Sequence, residues 1–382
     1  MQFDLEHMTT ACRAFWIATI LAVGTSFRKM KYVLFIALLL SLTFAAKAQQ
    51  KPLTQPEYVK LLYGLQANPS EKADIVEALR KRGIAFALTD GLRGLTRSKS
   101  GNDEELRRAL EEADRRRLNP AGSMLPPATE INHILEESRT ATLAAVDEMP
   151  DFVVRQQIQR SAAYAGTGTF RGLDRLIVAV SYRSTGQEDY KVLSVNGVLQ
   201  NDPKPKGSYE QVGGTSSTGE FVTMLATIFK PESEAQFEAV DTDLLRGRKA
   251  IIFDFSVDKD KAKQVIESSG DISNSTISGI KGKIWIDRDD FRVLRVESEA
   301  TQIPDTFPIR TARRNIDYDW VAIDNQKYLL PTLSDVRLTF REKSKVFETR
   351  NLIRFKDYQK YGTDVKIVDD DNEPIPEEKP NQ

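Results

Sequence analysis

The sequence predicts an α+β fold in which a small all-α module precedes an antiparallel β-sheet covered by helices. Three observations carry that expectation. Apolar residues recur at helical spacing up to about residue 117, a proline-rich stretch follows, and after Pro150 the apolar period changes to alternation. Turn residues rather than helices join most of the alternating segments, which makes the sheet antiparallel.

The first 48 of the 382 residues read as a leader. Lys31, the apolar run Tyr32 to Phe44 and Ala46-Lys47-Ala48 form the basic start, apolar middle and small-x-small cleavage site of a secretory signal. A second apolar run, Ala14 to Val23, lies upstream. Neither run reaches the ~20 apolar residues of a membrane-spanning helix, so translation from Met30 is expected. Cleavage after Ala48 leaves 334 residues with 49 basic and 53 acidic side chains, a net charge of −4. Nucleic-acid binding needs concentrated positive charge and is not expected. Cys12 and His7 belong to the leader, so the exported chain has no cysteine and only His133. That excludes thiol chemistry, disulfides, a lipid-modified N-terminal cysteine, and metal sites or triads built on histidine. No catalytic residue, metal site or cofactor is expected, and the location is the periplasm.

In the module, Tyr58, Leu61, Leu62 and Leu65 form one helical stripe, opened by the capping box Thr54-x-x-Glu57. Ser70 is placed to cap a second helix burying Ile75, Val76 and Leu79, with Gly83 ending it. Asn102, three residues before Glu105, opens a third helix with Leu106, Ala109, Leu110 and Ala113 on one face. Arg107, Arg108, Glu111, Glu112 and Arg115 on its other face read as solvated. Three prolines and a glycine between Asn119 and Ala128 make a linker. Thr129 then caps a long helix to about Met149, with the thin stripe Ile131, Leu135, Ser138, Thr142, Val146 and Met149.

Strands follow: Phe152 to Gln159; Leu176 to Tyr182; Tyr190 to Val195; Ile251 to Val257; Ile280 to Ile286; Phe291 to Val296; Ile316 to Ile323; Val336 to Phe340; Val346 to Phe355. Asn196-Gly197, Asp287 to Asp290 and Asp324-Asn325 supply turns. One helix interrupts, Gly219 to Phe229, stopped by Pro231. The division is leader 1–48, helical module 49–118, linker 119–128, sheet domain 129–368 and an acidic tail 369–382 read as disordered.

Motifs of chemistry have blander explanations. Gly214-Thr-Ser-Ser-Thr-Gly219 has phosphate-loop spacing, but Glu220 stands where a lysine must follow, so Ser217 or Thr218 as a helix cap is the better reading. Asp287, Asp289 and Asp290 lack the glycine and distal glutamate of a calcium loop and read as a hairpin turn. His133 falls off the helix stripe and faces water. Whether any two carboxylates stand at glycosidase spacing is not readable from sequence.

From Ala128 to Val368 the chain resembles the periplasmic lipoprotein-carrier (LolA-like) family, and more specifically a group of envelope proteins related to those carriers. The likeness rests on Asp174-Arg-Leu176 through Tyr182, Glu188-Asp-Tyr190 with Asn196-Gly197, and Ser217-Thr-Gly-Glu-Phe221 through Ile228-Phe-Lys-Pro231. Ile303-Pro304, Phe307-Pro308 and Tyr328-Leu-Leu-Pro331 complete it. The resemblance implies an incomplete barrel covered by helices. It implies a non-enzymatic protein holding an apolar ligand, a lipid or lipoprotein acyl chain, in a groove. Candidate wall residues are Val154, Ile158, Val178, Val180, Phe221, Leu225 and Ile228. One alternative is an interaction scaffold with a closed packed core, gripping an envelope protein through residues 53–117. A carboxylate-based hydrolase is a second.

Overall fold

The structure is a computed structural model that describes residues 51–68, 71–120, 124–200, 212–268, 274–362 and 375. The leader, Ser70 and the 369–382 tail lie outside the described residues, except for Ile375, which is buried.

Four helices make the module. In α1 (Gln55–Gly64) the expected capping box forms: the Glu57 amide donates to the Thr54 hydroxyl, and the Thr54 amide donates to the Glu57 carboxylate at 2.8 Å. Helix α2 (Lys72–Arg82) ends at Gly83, whose φ of +66° suits a residue without a Cβ. Leu53 bridges to Ile84, closing the segment ahead of α1 onto the end of α2. Helix α3 (Asp90–Lys99), capped by Thr89, was not expected, because its two glycines disguise a short helical stripe. Helix α4 (Glu104–Leu118) is capped by Asp103, which accepts from the Leu106 amide at 2.8 Å. Asn102 is therefore not the cap; it sits one residue earlier with a φ of +61°. Tyr58, Leu62, Leu79, Leu106 and Leu110 pack the module's core, and the Tyr58 hydroxyl meets Thr96 at 2.9 Å.

Helix α5 (Ala128–Asp147) begins two residues earlier than expected, with Pro127 rather than Thr129 at its cap position. The strands are β1 (Phe152–Tyr164), β2 (Arg171–Tyr182), β3 (Glu188–Val195), β4 (Val198–Leu199), β5 (Gln236–Leu245), β6 (Arg248–Val257), β7 (Gln264–Ser268), β8 (Asn274–Asp287), β9 (Val293–Thr301), β10 (Ile309–Ile323), β11 (Gln326–Glu342) and β12 (Lys345–Lys360). Their order is β4-β3-β2-β1-β12-β11-β10-β9-β8-β6-β5, with β7 beside β8, and every neighbouring pair is antiparallel. The end strands β4 and β5 do not pair with each other, so the sheet is an incomplete barrel. Asn196 and Gly197 both take positive φ, as a two-residue hairpin turn requires.

Helix α6 (Thr223–Phe229) is shorter than expected and has no side-chain cap. Ser217 instead donates to Glu220. Helix α7 (Lys259–Ala262) is a single turn between β6 and β7.

Alternation gives the sheet two buried faces. Phe253, Ile284, Val296 and Ile316 point toward α5 and α6 and pack with Ile134 and Leu225. Ala250, Ile252, Trp285 and Leu294 point the other way and form a separate small cluster on the side that receives α4.

Candidate functional site

All seven residues expected to wall a groove are buried, each at most 4% exposed. Val154 and Ile158 on β1, Val178 and Val180 on β2, and Phe221 ahead of α6 share one apolar cluster. Leu225 and Ile228 on α6 belong to the adjoining one. Phe221 lies edge-on to Phe152 and Phe355, with ring centroids 5.2 and 5.7 Å away. Aromatic contacts of this kind fill space rather than outline it. The cover is less complete on the helix side. Ser138 and Thr142, buried on the inner stripe of α5, present hydroxyls with no hydrogen-bond partner.

Polar residues occupy the far end of the same face and strap the segment before α6 across it. Arg160 pairs with Asp174 and donates to the Gly213 carbonyl. Gly214 has a φ of +79°, a conformation that favours glycine, and it lies against the Arg160 guanidinium. Asn351 donates to the Thr215 carbonyl at 2.7 Å, and the Thr215 and Thr349 hydroxyls meet at 2.9 Å. Two carboxylates lie along this strap. Glu188 accepts from the Tyr190 hydroxyl and, at 3.0 Å, from the Gly219 amide; Glu220 accepts from Ser217. Burial raises the Glu188 carboxyl above its ordinary range, with the Glu220 charge adding to it against the pull of its hydrogen bonds and Arg314. Neither carboxylate lines the clefts of about 860 and 510 Å³ on the described surface.

A cleft opens on the opposite face of the sheet. The helix α4 surface expected to be solvated is instead the docking face. Arg108 pairs with Glu297 and lies over the Trp285 ring, 5.3 Å from its centroid. Arg115 pairs with Asp243 at 2.9 Å and Arg116 with Asp241 at 3.2 Å. Asp243 also accepts from the Trp285 indole at 2.8 Å. Beside this contact opens a cleft of about 860 Å³ between the module and the sheet. Its floor crosses seven adjacent strands, from β12 to β5, and its wall is built from Lys72, Asp103 and Glu105. Eight acidic and five basic side chains line it, a net charge of −3.

Ion pairs fix much of that lining. Asp103 bonds Lys72 at 2.5 Å, and Asp335 is held between Arg337 and Arg350 at 3.1 and 2.8 Å. Burial would raise the Asp335 carboxyl, but the two guanidiniums outweigh it and hold it below the usual range. Glu112 behaves oppositely. It is 1% exposed, both its oxygens lack a hydrogen-bond partner, and burial with Asp243 and Asp241 nearby pushes it up to about 8.

The docking residues of β5 escaped the sequence reading because Asp241 and Asp243 interrupt its apolar alternation. The alternating charge of α4 was visible, but nothing in one sequence says that a strand over a hundred residues away would pair with it. The expected turn at Asp287 is found: its carboxylate accepts from the Asp289 and Asp290 amides and pairs with Arg248. His133 is exposed, as expected from its position.

No family description and no curated protein matches the chain. Among solved structures it is similar to a DUF1329 family protein from Desulfovibrio piger, at 12% identity and a TM-score of 0.27, over 63% of this chain and 97% of that one. It is also similar to the Pseudomonas aeruginosa MucA/MucB complex, at 10% identity and a TM-score of 0.17, over 58% and 94%. MucB in complex with MucA(peri) matches at 11% identity and a TM-score of 0.16, over 57% and 93%. Scores this low leave function to be argued from the residues themselves. Among the described residues, no helix is long and apolar enough to cross a membrane.

Proposed function

We propose that the protein is a non-enzymatic scaffold of the cell envelope that takes an extended cationic polypeptide segment into the cleft between its helical module and its sheet. The observation that carries this reading is the acidic excess of a long cleft crossing seven strands. Six inter-strand steps at ~4.8 Å make a trough of about 29 Å, the length of roughly nine extended residues. A cationic chain lying there would meet carboxylates at both ends of the trough, Glu238 on β5 and Glu348 on β12, and would be drawn in by the net negative field. The buried state of the seven apolar wall residues favours this reading over a standing lipid groove.

A peptide of about ten residues alternating lysine and serine, carrying a fluorophore, tests the proposal. Binding should be measurable by anisotropy and weaken as salt rises. The double variant Glu238→Lys/Glu348→Lys should lower affinity by about tenfold or more, at about 1.4 kcal/mol per decade. A matched glutamate–serine peptide should not bind the parent. Lysine-peptide binding that ignores both substitutions would sink the proposal.

One observation favours a second reading, an acyl chain held beneath α5. The unpartnered Ser138 and Thr142 hydroxyls weaken the seating of that helix, since each buried unsatisfied hydroxyl costs about 1–3 kcal/mol. A lifted α5 would expose the apolar face to a ligand that gains ~0.8 kcal/mol per buried methylene.

A further inference from the structure

Glu112 stands where an ionisable group is least expected. It lies in the third turn of α4, on the side facing β5, and its carboxyl has neither water access nor a hydrogen-bond donor. The nearby cations each have another carboxylate partner, and although Arg80 and Arg108 favour the ionised form, burial and the two aspartates outweigh them. Arg108 is paired with Glu297, Arg115 with Asp243, Arg116 with Asp241, and Arg80 of α2 with Glu105. The groups facing it from β5 are Asp241 and Asp243, both acidic and both buried. Arg295 of β9 lies beyond and acts on Arg108. A carboxylate in that position would be desolvated and beside two like charges, whereas a neutral carboxylic acid avoids the charge penalties and keeps only the smaller cost of a buried polar group without a partner.

We infer that protonation of Glu112 holds the helical module against the sheet, and that its ionisation loosens α4 and so widens the wall of the cleft. The inference concerns regulation of the cleft read above as the binding site.

The sign follows from linkage. Undocked and in water, Glu112 ionises near ~4.3; docked, it holds its proton up to about 8. The docked state therefore binds more protons throughout the interval. Docking is strongest below the lower value and weakens by about tenfold per pH unit as pH rises toward the upper one. Above that, Glu112 is ionised in both states and the dependence ends. Asp241 is also raised by burial, so it adds a dependence of the same sign.

Trp285 is a built-in reporter, because it is fully buried against Arg108 and Asp243 at this contact. The sequence has three tryptophans, so Trp16→Phe with Trp320→Phe leaves Trp285 alone. Acrylamide quenching of the full-length protein would be followed from about pH 5 to about pH 9, below tyrosine ionisation. In the Glu112 protein the quenching constant should rise several-fold across that range. In Glu112→Gln, which imitates the neutral acid, it should stay nearly flat. Glu112→Met, which cannot titrate at all, should give the same flat profile and covers the case in which the amide fails to fold. A flat profile in the Glu112 protein, or an equal rise in all three, would overturn the inference. Quenching needs no ligand, so this failure is separate from a failure of the peptide titration.

Discussion

At the residue scale, the sheet face opposite α5 and α6 is held by carboxylates locked between guanidiniums. Asp317 accepts from Arg295 at 2.6 and 2.8 Å and from Arg246 at 2.9 Å, and Arg246 also donates to the Leu294 and Tyr318 carbonyls at 3.0 Å. Burial opposes ionisation of Asp317, but the two arginines win and hold its carboxyl below the usual range. Asp317→Asn strands the buried Arg295 guanidinium, whereas Arg246 reaches solvent, so it should cost about 3–5 kcal/mol in urea denaturation at neutral pH. Because its folded value is depressed, the Asp317 contribution is complete above ~3.9 and is lost as pH falls through the folded value. The parent should therefore lose more stability between neutral pH and about pH 3 than the variant does. The sequence shows the charges of these pairs but not their partners. Arg295 and Asp317 sit 22 positions apart and meet only because β9 and β10 are neighbours in register.

At the element scale, helices and strands with clean periods were readable, and those whose periods are interrupted were not. The capping box of α1, the Gly83 stop and the Asn196-Gly197 turn formed as expected because each is settled within a few residues. Helix α3 hid behind Gly91 and Gly94, and β5 behind its aspartates. The starts of α5 and α6 were misplaced because Thr129 and Ser217 look like caps, while the chain path and Glu220 claim them for other roles. Gly282 on β8 shows what an element demands beyond its period. A Cβ there would fall 1.8 Å from the Glu297 carbonyl oxygen of β9, a backbone atom that cannot turn aside. Gly282→Ala should cost about 3 kcal/mol or more by forcing β8 and β9 apart, read as a lowered urea midpoint. An unchanged midpoint would mean that the two strands are not paired in this register.

At the scale of the whole molecule, the sheet is covered on both faces, and the two covers differ in kind. On one side α5 and α6 bring apolar residues onto an apolar face; on the other, α4 docks through arginines onto aspartates and a tryptophan. The sequence made the first cover legible, since stripe and strand both advertise their apolar sides. It concealed the second, since a charged helix looks the same whether it meets water or a charged sheet. If the first cover is a closed core, binding falls to the second side. The melting temperature of Val178→Trp tests that most directly. Val178 is fully buried on β2 beside Val154 and Phe221 in one apolar cluster. A larger ring there would overpack a filled core by about 1–3 kcal/mol, and a chain of this size should melt several degrees lower, at roughly 2–4 °C per kcal/mol. An unchanged melting temperature would mean that the ring enters open space, and would return the inner face to a ligand.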